Sequence, residues 1–240
     1  MKKIAVIPAR YAATRFPGKL MELLGDRPVI TRTYEAAVET GLFDAVIVAT
    51  DSDVIAGEIR ARGGTVAMTR SDHESGTDRI AEAVAGIEAD VIVNVQGDTP
   101  FVNADALQRL LGLFDDPAVQ VASLMDPITD PAELQNPNVV KVVVDLGNNS
   151  LFFSRSVLPY PRNTSITIPH YRHIGVYAFR KAALLQFTQW PVTPLEDAEK
   201  IECLRFLEHG VPLRMALTDP IGVDINTPED LAKARETWRE

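Results

Sequence analysis

The chain has 240 residues, of which 46% are hydrophobic, and this length suits one large α/β domain or a domain with an insertion. Its formal net charge of −9 argues against nucleic acid as a partner, because a phosphate backbone would be repelled outside local basic patches. The one cysteine, Cys203, excludes an intrachain disulfide and a multi-cysteine metal site. No apolar run is as long as a membrane span, and Met1 is not followed by a signal-peptide pattern, so we expect a cytoplasmic protein with no membrane partner.

The first hundred residues alternate between apolar runs and segments with helical spacing of apolar residues. We predict strands at 4–7, 45–49, 65–68 and 90–95, and helices at 28–40, 53–62 and 80–87. The first strand is expected to end at Pro8. This alternation predicts a parallel, doubly wound sheet that binds ligands at the carboxyl ends of its strands.

The middle of the chain, 126–170, is rich in proline, asparagine and aspartate, with short β runs between them. We interpret it as a small antiparallel β excursion from the parallel sheet and not as a separate domain. Outside it, the pattern predicts a helix within 100–114, strands at 119–125, 173–179 and 213–217, helices at 181–189 and 194–209, and a last helix with Thr227 as its N-cap.

The segment 8–19, PARYAATRFPGK, follows the first predicted strand and carries Arg10, Arg15 and Lys19. A loop rich in N–H groups and cations after a buried strand is a common way for α/β proteins to hold phosphates. The glycines of a Walker or dinucleotide-binding loop are absent, so the three cations would have to do more of the binding. The alternative is a solvated basic loop after an edge strand.

Two further segments carry residues that suit nucleotide chemistry. Asp98 follows a predicted buried strand and Gly97, which places it well for Mg²⁺; the alternative is that it caps the next helix. Ser75 and Thr77 flank Gly76 at a helix start, where their hydroxyls suit a base, a ribose or a phosphate, or simply cap the helix.

Basic and aromatic residues recur between 152 and 177. Arg155 suits bidentate binding of a carboxylate, although a surface ion pair is the simpler interpretation in a chain with 33 acidic residues. A single histidine such as His173 is more often structural than a ligand.

Taken in order, these segments resemble the family of 3-deoxy-manno-octulosonate (KDO) cytidylyltransferases. The matching segments are 8–19, 68–79 (MTRSDHESGTDR), 96–100 (QGDTP), 152–155 (FFSR), 172–177 (RHIGVY), 195–205 (LEDAEKIECLR) and 222–231 (GVDINTPEDL). The resemblance implies a Rossmann-like nucleotide-sugar transferase fold with one domain over 1–240. It also implies Mg²⁺-dependent transfer of CMP from CTP to KDO, giving CMP-KDO and pyrophosphate for lipopolysaccharide synthesis.

The resemblance also implies roles for individual residues. The catalytic set is Arg10, Lys19 and Asp98. The CTP-binding set is Arg10, Arg15, Lys19, Ser75, Gly76, Thr77, Arg79 and Gln96. The sugar-binding set is Gln96, Arg155, His173, Tyr177 and Glu202. The metal-binding set is Asp98, Asp224 and Asn226.

Three departures from the family pattern leave alternatives open. Thr99 replaces a glutamate, Cys203 a glutamine, and Asn226 the aspartate that usually precedes TPEDL. The alternatives are an 8-amino KDO analogue or another acidic sugar as substrate, and a catalytically inactive nucleotide-binding relative. Since family members are homodimers, the resemblance further implies a homodimer, with 126–170 at its interface.

Overall fold

The computed structural model describes residues 1–12, 16–163, 165–220, 222 and 224–238. The chain divides into two compact units. The first unit comprises Met1–Leu107 and Ile221–Glu240, and the second comprises Gln108–Pro220. The expectation of a single domain over 1–240 stays a prediction. Over the described residues, no helix is long and apolar enough to cross a membrane.

The strands and helices follow one another along the chain. The strands are β1 Lys3–Ala9, β2 Leu23–Leu24, β3 Arg27–Pro28, β4 Ala45–Thr50, β5 Thr65–Met68, β6 Val91–Asn94, β7 Val121–Pro127, β8 Lys141–Val144, β9 Ser150–Ser154, β10 Tyr171–Arg180 and β11 Leu213–Leu217. The helices are α1 Val29–Glu39, α2 Asp53–Ala61, α3 Gly76–Val84, α4 Ala104–Gly112, α5 Pro131–Gln135, α6 Lys181–Phe187, α7 Pro194–Glu199, α8 Leu204–Glu208 and α9 Pro228–Thr237.

The first unit is built on a parallel sheet with the strand order β6-β1-β4-β5. Strands β1, β4 and β6 are almost entirely buried, and helices α1, α2 and α3 pack against them. Burial on both faces explains why these strands read as continuous apolar runs and not as alternating patterns. The prediction of an α/β fold with a mainly parallel sheet flanked by helices is confirmed.

The prediction that the first strand ends at Pro8 is wrong. Pro8 pairs with Ala49 of β4, and β1 continues to Ala9. A proline is tolerated here because the pairing of β1 with β6 already ends at Val6, so no neighbouring strand needs the missing amide hydrogen. The extra residues carry the chain to the sheet edge immediately before Arg10.

The second unit combines antiparallel and parallel strand pairs. Strand β10 runs antiparallel to β7 and β8, β8 forms a hairpin with β9, and β11 runs parallel to β7. A β-bulge interrupts β10 between Ile174 and Tyr177. Helices α6 and α8 add an aromatic cluster in which Phe206 stacks on Phe179 and Phe187. The antiparallel strands expected within 126–170 are therefore present as the β8–β9 hairpin.

Two helices differ from the sequence prediction. Helix α3 begins at Gly76, four residues before the predicted start, because the Ser75 side chain accepts a hydrogen bond from the Asp78 N–H and caps it. Helix α5 was not predicted; Asp130 caps it at the Ala132 N–H. The first turn of α3 is polar and α5 has only five residues, so neither segment shows apolar periodicity.

The single helix predicted over 194–209 is wrong, since α7 and α8 are separated by a break. Lys200 has φ 52° and ψ 47°, in the left-handed region that ends a helix. The carbonyls of Glu199 and Lys200 accept hydrogen bonds from the Arg155 guanidinium, at 2.7 and 3.4 Å. These carbonyls are thus satisfied by a side chain, which sequence periodicity does not reveal.

We predict that the backbone strain at Lys200 is measurable. Lys200→Gly should be more stable than Lys200→Ala by about 1 kcal/mol, because only glycine adopts the left-handed conformation without strain. Both variants lose the exposed ion pair with Asp197, so their difference isolates the backbone term. Urea unfolding measures it, and equal free energies of unfolding would contradict the prediction.

Candidate active site

A cavity of about 330 Å³ opens in the first unit, where β1 and β6 end. Its lining is predominantly polar and contains three cations, and it includes Arg10, Lys19, Glu74, Gly76, Arg79, Gln96 and Asp98. Carboxyl ends of parallel strands are the usual ligand position in such sheets. The cavity therefore brings together five of the predicted CTP-binding residues with the predicted metal ligand Asp98.

Lys19 and Asp98 form an ion pair in this cavity. Gly18, with φ +73°, begins the short 3₁₀ turn that carries Lys19. The Lys19 ammonium donates to the Asp98 carboxylate and, at 3.0 Å, to the Ile225 carbonyl. The Ile225 N–H donates to the Asp98 carbonyl at 2.9 Å, so the 224–226 segment is fixed against Asp98.

Asp98 is not a helix cap. Helix α4 begins at Ala104, and the Asn103 side chain accepts from the Ala106 N–H at 2.9 Å. The alternative interpretation of Asp98 is therefore wrong, and its carboxylate is left to bind a cation.

The oxygen donors around Asp98 suit a hard cation. The Asp98 carboxylate already binds one cation, the Lys19 ammonium. Asp224 and Asn226, which also carry side-chain oxygens, are the sequence neighbours of Ile225. Mg²⁺ is commonly held by one or two carboxylates together with substrate phosphate oxygens and water. In the described part of the chain, no three histidine, cysteine or acidic side chains cluster into a complete metal site. The oxygen donors here fit a cation that is bound partly by the protein and partly by substrate oxygens.

Arg79 lies in the cavity wall and is 0% exposed. Its guanidinium donates to Thr69 Oγ1 at 2.5 Å and lies 3.2 Å from the Asp51 carboxylate. Burial lowers the pKa of Arg79, and the Asp51 carboxylate opposes that shift. Its Nε and Nη2 have no hydrogen-bond partner among the described residues. Two unpartnered donors in a cavity wall suit an oxygen-rich ligand.

Of the other predicted CTP-binding residues, Ser75 and Thr77 do not belong to the described lining of the cavity, whereas Gln96 does. Ser75 caps α3, as noted above, so its hydroxyl serves the helix in this structure. Thr77 is buried, and the Gln96 side chain donates to the Asn94 side chain at 3.1 Å. Arg15 lies outside the described residues.

The predicted sugar-binding Arg155 is held by backbone carbonyls. Besides Glu199 and Lys200, its guanidinium donates to the Pro137 carbonyl at 2.9 Å. The Glu199 carboxylate accepts from the Arg155 N–H and from the Ser154 hydroxyl, at 3.0 and 2.6 Å. In this structure Arg155 organises the break between α7 and α8, and its sugar role stays a prediction.

The predicted sugar-binding His173 and Tyr177 are neighbours in the second unit, with ring centroids 5.3 Å apart. His173 Nε2 is hydrogen-bonded to Ser123 Oγ at 3.0 Å. Burial lowers the pKa of His173 to about 4, so its imidazole is neutral at pH 7. Burial, together with Cys203 and Glu202, raises the pKa of Tyr177, and burial raises that of Cys203. The side chains of His173, Tyr177 and Cys203 are therefore all neutral at pH 7.

Sequence reasoning missed two acidic residues that support the cavity arginines, Asp51 and Glu82. Asp51 directly follows β4, so its position at the carboxyl edge of the sheet was a usable signal. Glu82 lies within α3, seven residues after the Ser75 cap, and no local pattern marks it.

We predict that His173 makes the protein less stable in acid. Its pKa is about 4 in the folded chain against an ordinary 6.5, so below pH 6.5 the unfolded chain binds a proton that the folded chain does not. The free energy of unfolding should fall between pH 7 and 5, and fall less in His173→Gln. Urea unfolding at both pH values measures this, and equal losses in the two proteins would contradict it.

Comparisons with known proteins identify the family of this chain. A cytidylyltransferase family model matches residues 4–217. The 3-deoxy-manno-octulosonate cytidylyltransferase of Flavobacterium johnsoniae is 54% identical over 100% of both chains, and that of Acaryochloris marina is 46% identical over 98% of this chain and 96% of its own.

Two solved structures are similar to this chain in fold. A structure of CMP:2-keto-3-deoxy-manno-octonic acid synthetase complexed with CTP is 40% identical, covers 98% of each chain and superposes with a TM-score of 0.94. The 4-diphosphocytidyl-2C-methyl-D-erythritol synthase of Anaerococcus prevotii, 15% identical over 98% of this chain and 97% of its own, has a TM-score of 0.65 and shares the fold. The chain belongs to the 3-deoxy-manno-octulosonate cytidylyltransferase family.

Proposed function

We propose that this protein transfers CMP from CTP to the anomeric hydroxyl of KDO, giving CMP-KDO and pyrophosphate for lipopolysaccharide synthesis. The observation that carries the proposal is the cavity at the ends of β1 and β6, which is lined by Arg10, Lys19, Arg79 and Asp98. Membership of the family supports the same reaction, and the comparisons favour neither a different acidic sugar nor an inactive relative.

The reaction needs positioning and charge neutralisation more than covalent chemistry from the protein. The sugar oxygen bonds to the α-phosphorus as the bond from that phosphorus to the pyrophosphate oxygen breaks. Arg10 and Lys19 bind the triphosphate and stabilise the negative charge on the departing pyrophosphate, and Arg15 is expected to assist them. In a chain with net charge −9, this local concentration of cations is what admits the anionic substrate.

We propose Mg²⁺ as the cofactor, held by Asp98 with Asp224 or Asn226. When bound, it supplies neutralisation of phosphate charge and lowers the pKa of the attacking hydroxyl. The Lys19 ammonium donates to Asp98 Oδ2 in the structure, so its positive charge opposes the binding of a metal to that carboxylate. The triphosphate gives Lys19 an alternative partner, which couples nucleotide binding to metal binding.

The sugar roles of Arg155, His173, Tyr177 and Glu202 remain part of this proposal, as does that of Gln96. Since His173 and Tyr177 are neutral at pH 7, they act as hydrogen-bonding partners of sugar hydroxyls. Among these five residues only Arg155 offers a positive charge to the sugar carboxylate.

We also propose a cytoplasmic homodimer in which residues 126–170 contribute to the interface. Tyr160 and Ile166 support this, since they are 83% and 59% exposed in the isolated chain. Sedimentation at micromolar concentration should give the mass of a dimer, and a monomer would contradict the proposal.

We predict that Asp98→Asn abolishes most pyrophosphate release. The amide keeps the size of the side chain but removes the negative charge that holds the metal, so turnover should fall at least about a hundredfold. Asp219→Asn is the matched control, because Asp219 is an exposed carboxylate outside the cavity, paired with Arg109. Pyrophosphate release from CTP, KDO and Mg²⁺ measures both; turnover at the wild-type rate in Asp98→Asn would contradict the assignment.

We further predict that Lys19 suppresses metal binding when no nucleotide is present. Without CTP, Lys19→Met should bind Mn²⁺ at least about tenfold more tightly than the wild type, because the competing ammonium is gone from Asp98. Lys233→Met, on the exposed face of α9, is the control. The paramagnetic resonance signal of free Mn²⁺ reports binding directly, and equal affinities in Lys19→Met and wild type would contradict the coupling.

A further inference from the structure

The loop at residues 69–75 joins β5 to α3 and is bonded to the cavity arginine Arg10. The Arg10 guanidinium donates to the main-chain carbonyl of His73. His73 itself is 8% exposed and lies outside every set of residues assigned above. The direction of the Arg10 side chain therefore depends on where this loop holds one carbonyl group.

Glu82 on α3 holds the 69–75 loop at two points. Its carboxylate is hydrogen-bonded to His73 Nε2 and accepts from the Arg70 N–H at 3.2 and 3.4 Å. The Arg70 guanidinium lies 3.8 Å from the same carboxylate. Burial raises the pKa of Glu82, but the bonds from His73 and Arg70 outweigh it and leave that pKa below its ordinary value.

We infer that Glu82 and His73 are positioning residues for Arg10. Glu82 fixes the His73 imidazole and the Arg70 amide, the loop between them is thereby fixed, and the His73 carbonyl orients the Arg10 guanidinium toward the triphosphate. Glu82 does not belong to the described lining of the cavity, so it acts through His73 and Arg10 and not on the substrate. This inference rests on the proposed function, because it concerns the binding of CTP.

Two effects of removing the Glu82 carboxylate have opposite signs. The negative charge of Glu82 raises the pKa of Arg79, whereas the positive charge of Arg10 lowers it. Loss of this charge makes the cavity more positive and, taken alone, favours an anionic nucleotide. Loss of the hydrogen bonds releases the loop and disorders Arg10, which weakens nucleotide binding. The sign of the change in CTP affinity thus separates positioning from simple electrostatics.

The test is the affinity for CTP, measured by calorimetry at fixed Mg²⁺, in Glu82→Ala, Glu82→Gln and His73→Asn. We expect the Kd for CTP to rise about tenfold in Glu82→Ala and His73→Asn. Glu82→Gln keeps an acceptor oxygen and should recover part of the loss. Glu58→Gln, an ion-paired carboxylate on α2, is the matched control and should bind CTP like the wild type.

A double-mutant cycle with Arg10→Ala distinguishes positioning from general destabilisation. If Glu82 acts through Arg10, adding Glu82→Ala to Arg10→Ala should change the Kd less than twofold. The same tenfold loss in both backgrounds, or unchanged or tighter CTP binding in the Glu82 variants, would overturn the inference. Glu82→Gln keeps the test valid if the alanine variant fails to fold. A wild type that binds no CTP would instead overturn the proposed function, and this inference with it.

Discussion

The burial of β1 between β4 and β6 is the constraint on which the site depends. Because all three strands are parallel, their carboxyl ends lie on one edge of the sheet. The residues that follow the three strands are therefore close to one another. Arg10 follows β1, Asp51 follows β4, and Asp98 lies four residues after the end of β6. Charged side chains that are far apart in sequence are thus brought together by strand pairing. Strand β1 continues through Pro8 to Ala9, and this extension brings Arg10 to the edge of the sheet.

The charges of the cavity are arranged as exchangeable pairs. Lys19 is paired with Asp98, and the Asp51 carboxylate partly offsets the burial of Arg79, so neither cation is isolated. A buried charge without a partner is costly, so a ligand that displaces one partner must itself supply the opposite charge. The triphosphate supplies several anionic oxygens at once, which is why a chain with many acidic residues can still bind it.

Most of the parallel sheet was predictable, and most of the hydrogen bonds that orient the site were not. Continuous apolar runs identify β4 and β6, since both faces of these strands are buried. The position of Asp98 after a buried strand predicted its place at the carboxyl edge of the sheet, and its role as a metal ligand stays a prediction. By contrast, the break at Lys200 depends on a guanidinium from a distant strand, and Glu82 contacts a loop nine residues before it. Such contacts between side chain and loop leave no periodic signal, so only the folded structure reveals them.

The break between α7 and α8 is held by Arg155, whose role in binding an acidic sugar stays a prediction. Arg155 is the cation among the predicted sugar residues, yet its donors are engaged with the carbonyls of Pro137, Glu199 and Lys200. Charge-assisted hydrogen bonds to a carboxylate are stronger than bonds to neutral carbonyls, so an acidic sugar can compete for this guanidinium. A guanidinium has five N–H donors, and these three bonds use three of them. A sugar carboxylate can therefore bind Arg155 while the carbonyls at the break stay hydrogen-bonded.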